Sequence, residues 1–497
     1  MSELTQPTPY GYELLSGRGE IIAAMKEAVP EGLAELDAEA SSELTVLTER
    51  LIEVEGERAA AEYDRYTHTN ERGLELPDNL LREKYGGKTI AVTGGAGLIG
   101  STLLKELHAL GAGRIVSLDI AEPAEAIDGI DYLHQDIRDA ASLQATMEDV
   151  RPDVVFHLAA DKYNHLAETR ARHTIATNVM GTVNVLAAAE AAEVPQVVYA
   201  STGKATRPYS PDIYASSKKT GEWLMADFAK NHPDTLVSGV RFTHVVDNSN
   251  LQRKLNQSID AGDPVRLHDP NMWFYTQSAR ESAHLLLLAS LEAEAGAFDM
   301  VALNNLEMPF NLADLGIGAV AKRGAKVPLY FCGIEAGYEE KAWPGLYDRE
   351  DAGDVSPLIN ALEAPQTRQS RINPGVDTFT LEFGDDPQLA AQLDKVLDAA
   401  SRYKESAQDI TGITRQENHK LSWMLLDATL EGLPDDSLLR AYRRVSERNR
   451  TSDGQAQNPD HIRTDMAIES AAQTRLVREV GRQAVALPEP ALSEARL

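Results

Sequence analysis

The stretch Lys88-Thr89-Ile90-Ala91-Val92-Thr93-Gly94-Gly95-Ala96-Gly97-Leu98-Ile99-Gly100 decides the fold. Lys88 to Thr93 is a short apolar run that stops at glycines. Leu98 to Leu110 then carries apolar residues at three- and four-residue spacing, so a strand runs directly into a helix. Each glycine has a physical task at such a turn. Gly94 permits the tight bend, Gly97 lets the backbone approach a pyrophosphate, and Gly100 lets the helix pack closely on the strand. The first helical turn, with Leu98 and Ile99, points unpaired N–H groups at the anion. A glycine pattern alone is weak evidence, but here Asp119 follows 25 residues after Gly94, at the end of the next strand-like run. A carboxylate there accepts both ribose hydroxyls and repels a 2′-phosphate, so NAD is expected and NADP less so. Asp136-Ile137, closing the third strand, is expected beside the adenine.

Outward from this turn, strand-like and helical runs alternate. Strands are predicted at Ile115–Leu118, Tyr132–His134, Val154–Leu158, Val197–Ala200 and Leu236–Phe242, with helical spacing at Leu98–Leu110 and Ala176–Glu190. That alternation predicts an α/β fold, a doubly wound parallel Rossmann sheet. Residues 1–86, rich in Ala, Glu and Leu, are predicted as a helical N-terminal extension. Residues 87–365 form the main domain, with the Rossmann core at about 87–243 and a smaller substrate subdomain mostly at 244–365, including a returning strand at Phe298–Leu303. Residues 366–497 are predicted as a helical C-terminal extension, from the spacing in Leu389–Tyr403, Glu417–Glu431 and Ser437–Asn449.

Composition narrows the function. Of 497 residues, 77 are acidic and 48 basic, a formal charge of −29 that repels nucleic-acid backbones and anionic lipid, so neither is an expected partner. The single cysteine, Cys332, excludes an internal disulfide and sits in an apolar run as a small core residue. No histidine spacing suggests a metal. No apolar stretch approaches the ~20 residues that cross a bilayer, and no signal peptide is visible, so the chain reads as cytoplasmic.

The chemistry-bearing residues follow the fifth strand. Ala200-Ser201-Thr202 closes it, and Tyr214-Ala-Ser-Ser-Lys218 comes twelve residues later. Tyr and Lys at i and i+4 share one helical face. An ammonium beside the phenol, with a positive nicotinamide, is expected to lower the Tyr214 pKa so that it takes a hydroxyl proton as hydride leaves the same carbon.

TGGAGLIGS (Thr93–Ser101), VVFHLAADK (Val154–Lys162), TNVMGTVNV (Thr177–Val185), ASTGKA (Ala200–Ala205), YASSK (Tyr214–Lys218) and VRF (Val240–Phe242) together resemble the extended short-chain dehydrogenase/reductases (SDRs) of the capsular-polysaccharide type, which include nucleotide-sugar 4,6-dehydratases and epimerases. AGDPVRLHDPNM (Ala261–Met272) and GIEAGYEEK (Gly333–Lys341) match more weakly. The resemblance covers about residues 75 to 365. It implies that Thr202 hydrogen-bonds the sugar hydroxyl being oxidised, and that Tyr214 is the base and Lys218 its activator and ribose anchor. It also implies that Leu158, Ala159, Ala160 and Asn178 line the cofactor, and that Lys162 and Ser201 join Thr202 around a small sugar-like substrate. A homo-oligomer, dimer or higher, is implied too, since such enzymes pair through a helix bearing the Tyr-x-x-x-Lys motif.

The departures are informative. Dehydratases of this type carry Ser-Thr-Asp-Lys, where Asp and Lys remove water; here the run is Ser201-Thr202-Gly203-Lys204. Lys204 can serve as base, but glycine donates no proton. The arginines expected in the segments Asn271–Thr276 and Gly333–Lys341 are missing, and Glu335 stands in the second. Arg253, Lys254, Arg266 or Arg280 are candidate replacements for a diphosphate clamp. The leading reading is therefore an epimerase or dehydrogenase. A 4,6-dehydratase using Lys204 and another acid, or an NAD-binding scaffold without turnover, are the alternatives. His157 is read as a packed strand histidine, Trp423 as a core or interface aromatic.

Overall fold

Near-continuous apolar runs such as Thr89–Thr93, Val154–His157 and Leu236–Phe242 suit strands covered on both faces, and all three are buried almost throughout. In the computed structural model, which describes residues 15–29, 32, 35–247, 250–334, 355–404, 408–451 and 459–486, they lie inside one nine-stranded sheet. Its strands are β1 (Thr89–Thr93), β2 (Arg114–Asp119), β3 (Ile130–His134), β4 (Val154–His157), β5 (Gln196–Thr202), β6 (Leu236–Phe242), β7 (Phe298–Leu303), β8 (Arg368–Gln369) and β9 (Val376–Thr380). The order is β8-β9-β7-β6-β5-β4-β1-β2-β3. β1 to β7 are parallel, and β9 and β8 close one edge antiparallel. Strand order reverses at β1, which pairs with β2 on one side and β4 on the other. Ligands of doubly wound sheets bind outside the carboxyl ends of the strands at that reversal.

The predicted strands and the helix Leu98–Leu110 are all present. The C-terminal extension needs a correction. It is helical from Pro387 onward, but Arg368–Gln369 and Val376–Thr380 complete the sheet, so the sheet crosses the boundary drawn at 365/366. Five residues rich in β-branched and aromatic types suffice for an edge strand when β7 offers a free ladder, and they carry no helical period to warn of it.

The flanking helices are built into the domain. Helix Ala38–His68 lies along helix Leu312–Arg323, and its Leu44, Leu47 and Leu51 share a core with Leu315, Val320 and the strand Leu329–Phe331. The approach is close enough that a Cβ on Gly318 would stand 2.1 Å from the Ala59 carbonyl oxygen. Arg18 and Arg58 both pair with Asp314 across this contact. Cys332 is buried in the same core. At the other end, helices Pro387–Ser401 and Gln408–Gly432 cover the helices of residues 171–191 and Ile213–Asn231. Among the described residues no helix is long and apolar enough to cross a membrane.

Candidate active site

At the end of β1 the turn has the geometry that the glycines require. Gly94 stands at φ +76°, and its N–H donates to the Leu118 carbonyl over 2.8 Å. A Cβ on Gly94 would meet the Ala159 nitrogen at 2.7 Å, and one on Gly100 would meet the Gly94 oxygen at 2.2 Å. Gly97 caps helix Leu98–Leu110, so the N–H groups of that first turn, Leu98 and Ile99 among them, face outward. Asp119 ends β2 with Oδ2 accepting from the Ala96 N–H and Oδ1 from the Ala121 N–H, both at 3.0 Å. The carboxylate is thus fixed against the glycine turn with lone pairs to spare. A cradle without side chains, a helix N-terminus and a positioned carboxylate fit the pyrophosphate and ribose of a dinucleotide.

Asp136 and Ile137 have other engagements. The Asp136 carboxylate takes a fork from Arg138, with Nε 2.9 Å from Oδ1 and Nη2 2.7 Å from Oδ2, and also accepts the Arg138 N–H. Burial pushes this carboxyl up, but the Arg138 bonds outweigh it and hold Asp136 below its usual value. Arg138 in turn lies over the Tyr403 ring at 4.6 Å. Ile137 is buried against Gly181 and accepts a bond from Asn184. This corner ties β3 to neighbouring helices, a structural task that short sequence context does not reveal.

Past β4, the Leu158 and Ala159 N–H groups bond back to Thr93, leaving Leu158-Ala159-Ala160 beside the Gly94 turn. His157 is buried between the hydroxyls of Thr93 (2.8 Å) and Thr182 (3.0 Å), and burial lowers it to about 3. It is a neutral packing histidine. Asn178 sits in a π-turn, Ala176–Met180, the kind of helix distortion that often marks functional sites. Its Oδ1 accepts from the Asp161 N–H (2.7 Å), and its Nδ2 donates to the Asp161 carbonyl (3.1 Å) and to Ser217 Oγ (3.0 Å). Asn178 therefore clamps the loop after β4 onto the helix of Tyr214. Asp161, which sequence reasoning missed, is buried and accepts from Thr174 and Arg170. Lys162 is exposed beside it.

At the end of β5, side chains alternate faces. Thr202 stays on the site side, where its hydroxyl donates to the Phe242 carbonyl at 3.5 Å and accepts the Lys204 N–H, close enough to Tyr214 to lower its phenol. Ser201 points the other way, donating to the buried Glu222 at 2.7 Å, which corrects its expected place among the substrate contacts. Helix Ile213–Asn231 is started by Asp212, whose carboxylate accepts the Ala215 N–H (2.9 Å), and by Glu168, which accepts the Ile213 N–H (2.8 Å). Burial raises the Tyr214 phenol to about 12, against the lowering effect of Thr202, and burial lowers Lys218 to about 7. The Lys218 ammonium lies 4.2 Å from the Tyr199 ring centroid. Without a further positive charge the site holds Tyr214 as the phenol.

Beneath Thr202 lies an ion network that no local residue pattern marks. Arg241 is fully buried, with Nε 2.7 Å from Glu222 Oε1 and Nη1 2.6 Å from Glu363 Oε2, and Lys219 stands 3.4 Å and 3.6 Å from the same two carboxylates. Two positive and two negative groups cancel. Glu363 belongs to a segment, 355–363, whose Leu358 covers Gly203: a Cβ there would stand 2.8 Å from Leu358 Cδ2. The place of the missing acid is filled by an apolar side chain. Lys204 is half-buried next to it. Of the candidate clamps, Arg280 is 3.7 Å from Glu106, while Arg253, Lys254 and Arg266 are exposed. Glu335 lies outside the described residues. Among the described residues no group of His, Cys, Asp and Glu is placed to hold a metal.

The sequence pattern described as "Polysaccharide biosynthesis protein" matches residues 90–352, more than half of the chain and all of the site's strands and glycine turn. The chain belongs to that family. Capsular polysaccharide biosynthesis protein CapD of Staphylococcus aureus is 27% identical over 299 residues, covering 56% of this chain and 48% of its own length. UDP-glucose 4-epimerase of Mycolicibacterium smegmatis is 35% identical over 151 residues, 26% of this chain and 48% of its own length. The chain thus spans about half the length of these curated relatives. The crystal structure of Pen from Bacillus thuringiensis superposes with a TM-score of 0.50 at 22% identity, over 59% of this chain and 88% of its own, and so shares the fold. This polysaccharide biosynthesis family member therefore has the Rossmann architecture of SDR sugar epimerases and dehydratases.

Proposed function

We propose that this family member is an NAD-dependent SDR enzyme that oxidises a carbinol of a nucleotide-sugar or similar substrate, as an epimerase or dehydrogenase. What supports the reading is that Thr202 ends β5, that Tyr214 and Lys218 share one face of the helix that follows, and that the glycine turn at β1 holds the Asp119 carboxylate. The relative named UDP-glucose 4-epimerase supports a sugar nucleotide as the substrate class. NAD, when bound, supplies hydride acceptance and a positive charge near the phenol. Thr202 holds the reacting hydroxyl toward Tyr214. Tyr214 takes the hydroxyl proton in oxidation and, as the phenol that burial favours, returns it to the ketone oxygen. Lys218 anchors a ribose and stabilises the phenolate. Elimination of water is disfavoured because Gly203 offers no acid, Leu358 fills its place, and Asp212 is occupied as a helix cap. A homo-oligomer, if formed, has to be built around the helices Pro387–Ser401 and Gln408–Gly432 that cover the helix of Tyr214.

The test is incubation of the protein and of Tyr214→Phe with NAD and UDP-glucose or UDP-N-acetylglucosamine, with products read by NMR. Epimer or ketone should form, and the phenylalanine variant should lose about 10²–10⁴-fold in rate. Its NAD affinity and melting temperature should hardly change. Undiminished turnover in that variant sinks the mechanism, and a 4-keto-6-deoxy sugar at ordinary enzymatic rates replaces it with dehydration.

A further inference from the structure

The loop Arg207–Asp212 joins the strand that ends in Thr202 to the helix that begins before Tyr214, so its conformation sets the distance between the two. Loops of this kind are ordinarily held by their own turns and by solvent-exposed bonds. Here the outer side of the loop is gripped by one face of helix Gln408–Gly432. Trp423 stacks on Tyr209 with ring centroids 3.9 Å apart and planes 20° from parallel. The Tyr209 hydroxyl hydrogen-bonds the His419 ring at 2.9 Å. Ser422 donates to the Ser210 carbonyl at 3.0 Å, and Asn418 donates to Ser216 Oγ, in the first turn of the Tyr214 helix, at 2.7 Å. Asn418 with Ser422, and His419 with Trp423, are i and i+4 pairs, so the four residues form one stripe.

The stripe is not a surface contact. Asn418, Ser422 and Tyr209 are buried, and Tyr209 belongs to the same apolar cluster as Leu426, Leu430, Leu433 and Leu438 of the C-terminal helices. Leu362, next to Glu363 of the network that seats Leu358 over Gly203, plugs into that cluster as well. Both segments that border Thr202 thus have their outer side chains in the C-terminal core. We propose that the helix Gln408–Gly432 is a positioning element for proton transfer: Asn418, His419, Ser422 and Trp423 hold the Arg207–Asp212 loop so that Tyr214 meets Thr202. This rests on the reading of Tyr214 as the proton-transfer residue. It gives the C-terminal helices a part in the reaction, in place of a role in docking a partner.

The test uses the full chain with Trp423→Leu, Trp423→Phe and Ser422→Ala, the last removing one hydroxyl and sparing the fold. Backbone hydrogen exchange is read at 207–213 and, as control, at the glycine turn 94–100; NAD affinity and the rate with UDP-glucose are read alongside. Trp423→Leu and Ser422→Ala should speed exchange at 207–213 and leave 94–100 and NAD affinity unchanged. The kcat should fall by up to about 10²-fold, with KM little altered, since a displacement near 1 Å has that effect on an aligned site. Trp423→Phe, which keeps a stacking ring, should recover most of the rate. Unchanged exchange at 207–213 overturns the proposal, and so does faster exchange with undiminished kcat. If the unmodified protein turns over no sugar nucleotide, the functional reading fails, and the exchange pattern still decides whether the helix holds the loop.

Discussion

The proposed site has a cofactor half and a substrate half, and the two are assembled in different ways. The cofactor half is made within about seventy residues, from a glycine turn, one carboxylate and the loop after β4, and its contacts are largely backbone to backbone. The substrate half draws on Thr202, Tyr214 and Lys218, but also on Arg241, Leu358, Glu363 and the stripe 418–423, whose Ser422 bonds a residue 212 positions before it. Backbone geometry tolerates little variation, whereas side chains recruited from a distance can be exchanged. That difference suits a fold that keeps one redox cofactor and changes its substrate.

Breaking the substrate half should cost most at Arg241. Arg241→Met leaves two buried carboxylates, Glu222 and Glu363, to share Lys219, and removing one partner of a buried ion network costs about 3–5 kcal/mol. Denaturant unfolding measures it; a loss under about 1 kcal/mol would show that the network is dispensable. In the cofactor half, Asp119→Ala removes bonds to a ribose worth about 1.5–3 kcal/mol, so NAD should bind roughly 10–150-fold more weakly while NADP changes less. Equal weakening of both would remove Asp119 from the ribose.

Gly203 sharpens the comparison further. Gly203→Asp drives its side chain into Leu358 and should destabilise by about 1–3 kcal/mol. Combining it with Leu358→Ala should cost less than the two separate losses added together, and simple additivity in the unfolding energies would place Leu358 elsewhere. The smallest effect is a tilt with pH. Lys218 stands at about 7 in the folded chain and at 10.5 unfolded, so between these values the unfolded state binds more protons and this group makes stability rise with pH. Tyr214, raised to about 12, reverses the trend only above about 10. Relative to Lys218→Met, the protein should gain at most about 1.4 kcal/mol per pH unit from 7.5 to 8.5; parallel melting profiles would contradict a buried, depressed lysine.

How much of this was legible follows from the same contrast. Strand, glycine turn and helix are adjacent in sequence, so Gly94, Gly100 and Asp119 could be placed from spacing alone, as could Tyr214 and Lys218 on one helical face. Ser201 could not be separated from Thr202 until the strand register assigned each to a face. The strand Val376–Thr380 lacks a period long enough to read and exists because β7 needed a neighbour. The expected lowering of Tyr214 counts on a nicotinamide charge beside Lys218; the protein's own residues, through burial, push the phenol up, and no residue pattern reports that burial. Glu222, Arg241 and Glu363 are ordinary charged residues until the fold brings them together.

The helix Ala38–His68 has a consequence in time as well as in space. Its apolar stripe is matched by Leu312–Arg323, about 250 residues later in the chain. At ~5–20 residues per second, a ribosome takes roughly 12–50 s to deliver that partner. Through that interval the face of Leu44, Leu47 and Leu51 has helix Arg18–Ala28 beside it but lacks this second partner, and the long loop must then be closed before the contact is rewarded. The packing of this helix is therefore completed only after residues near 320 have arrived.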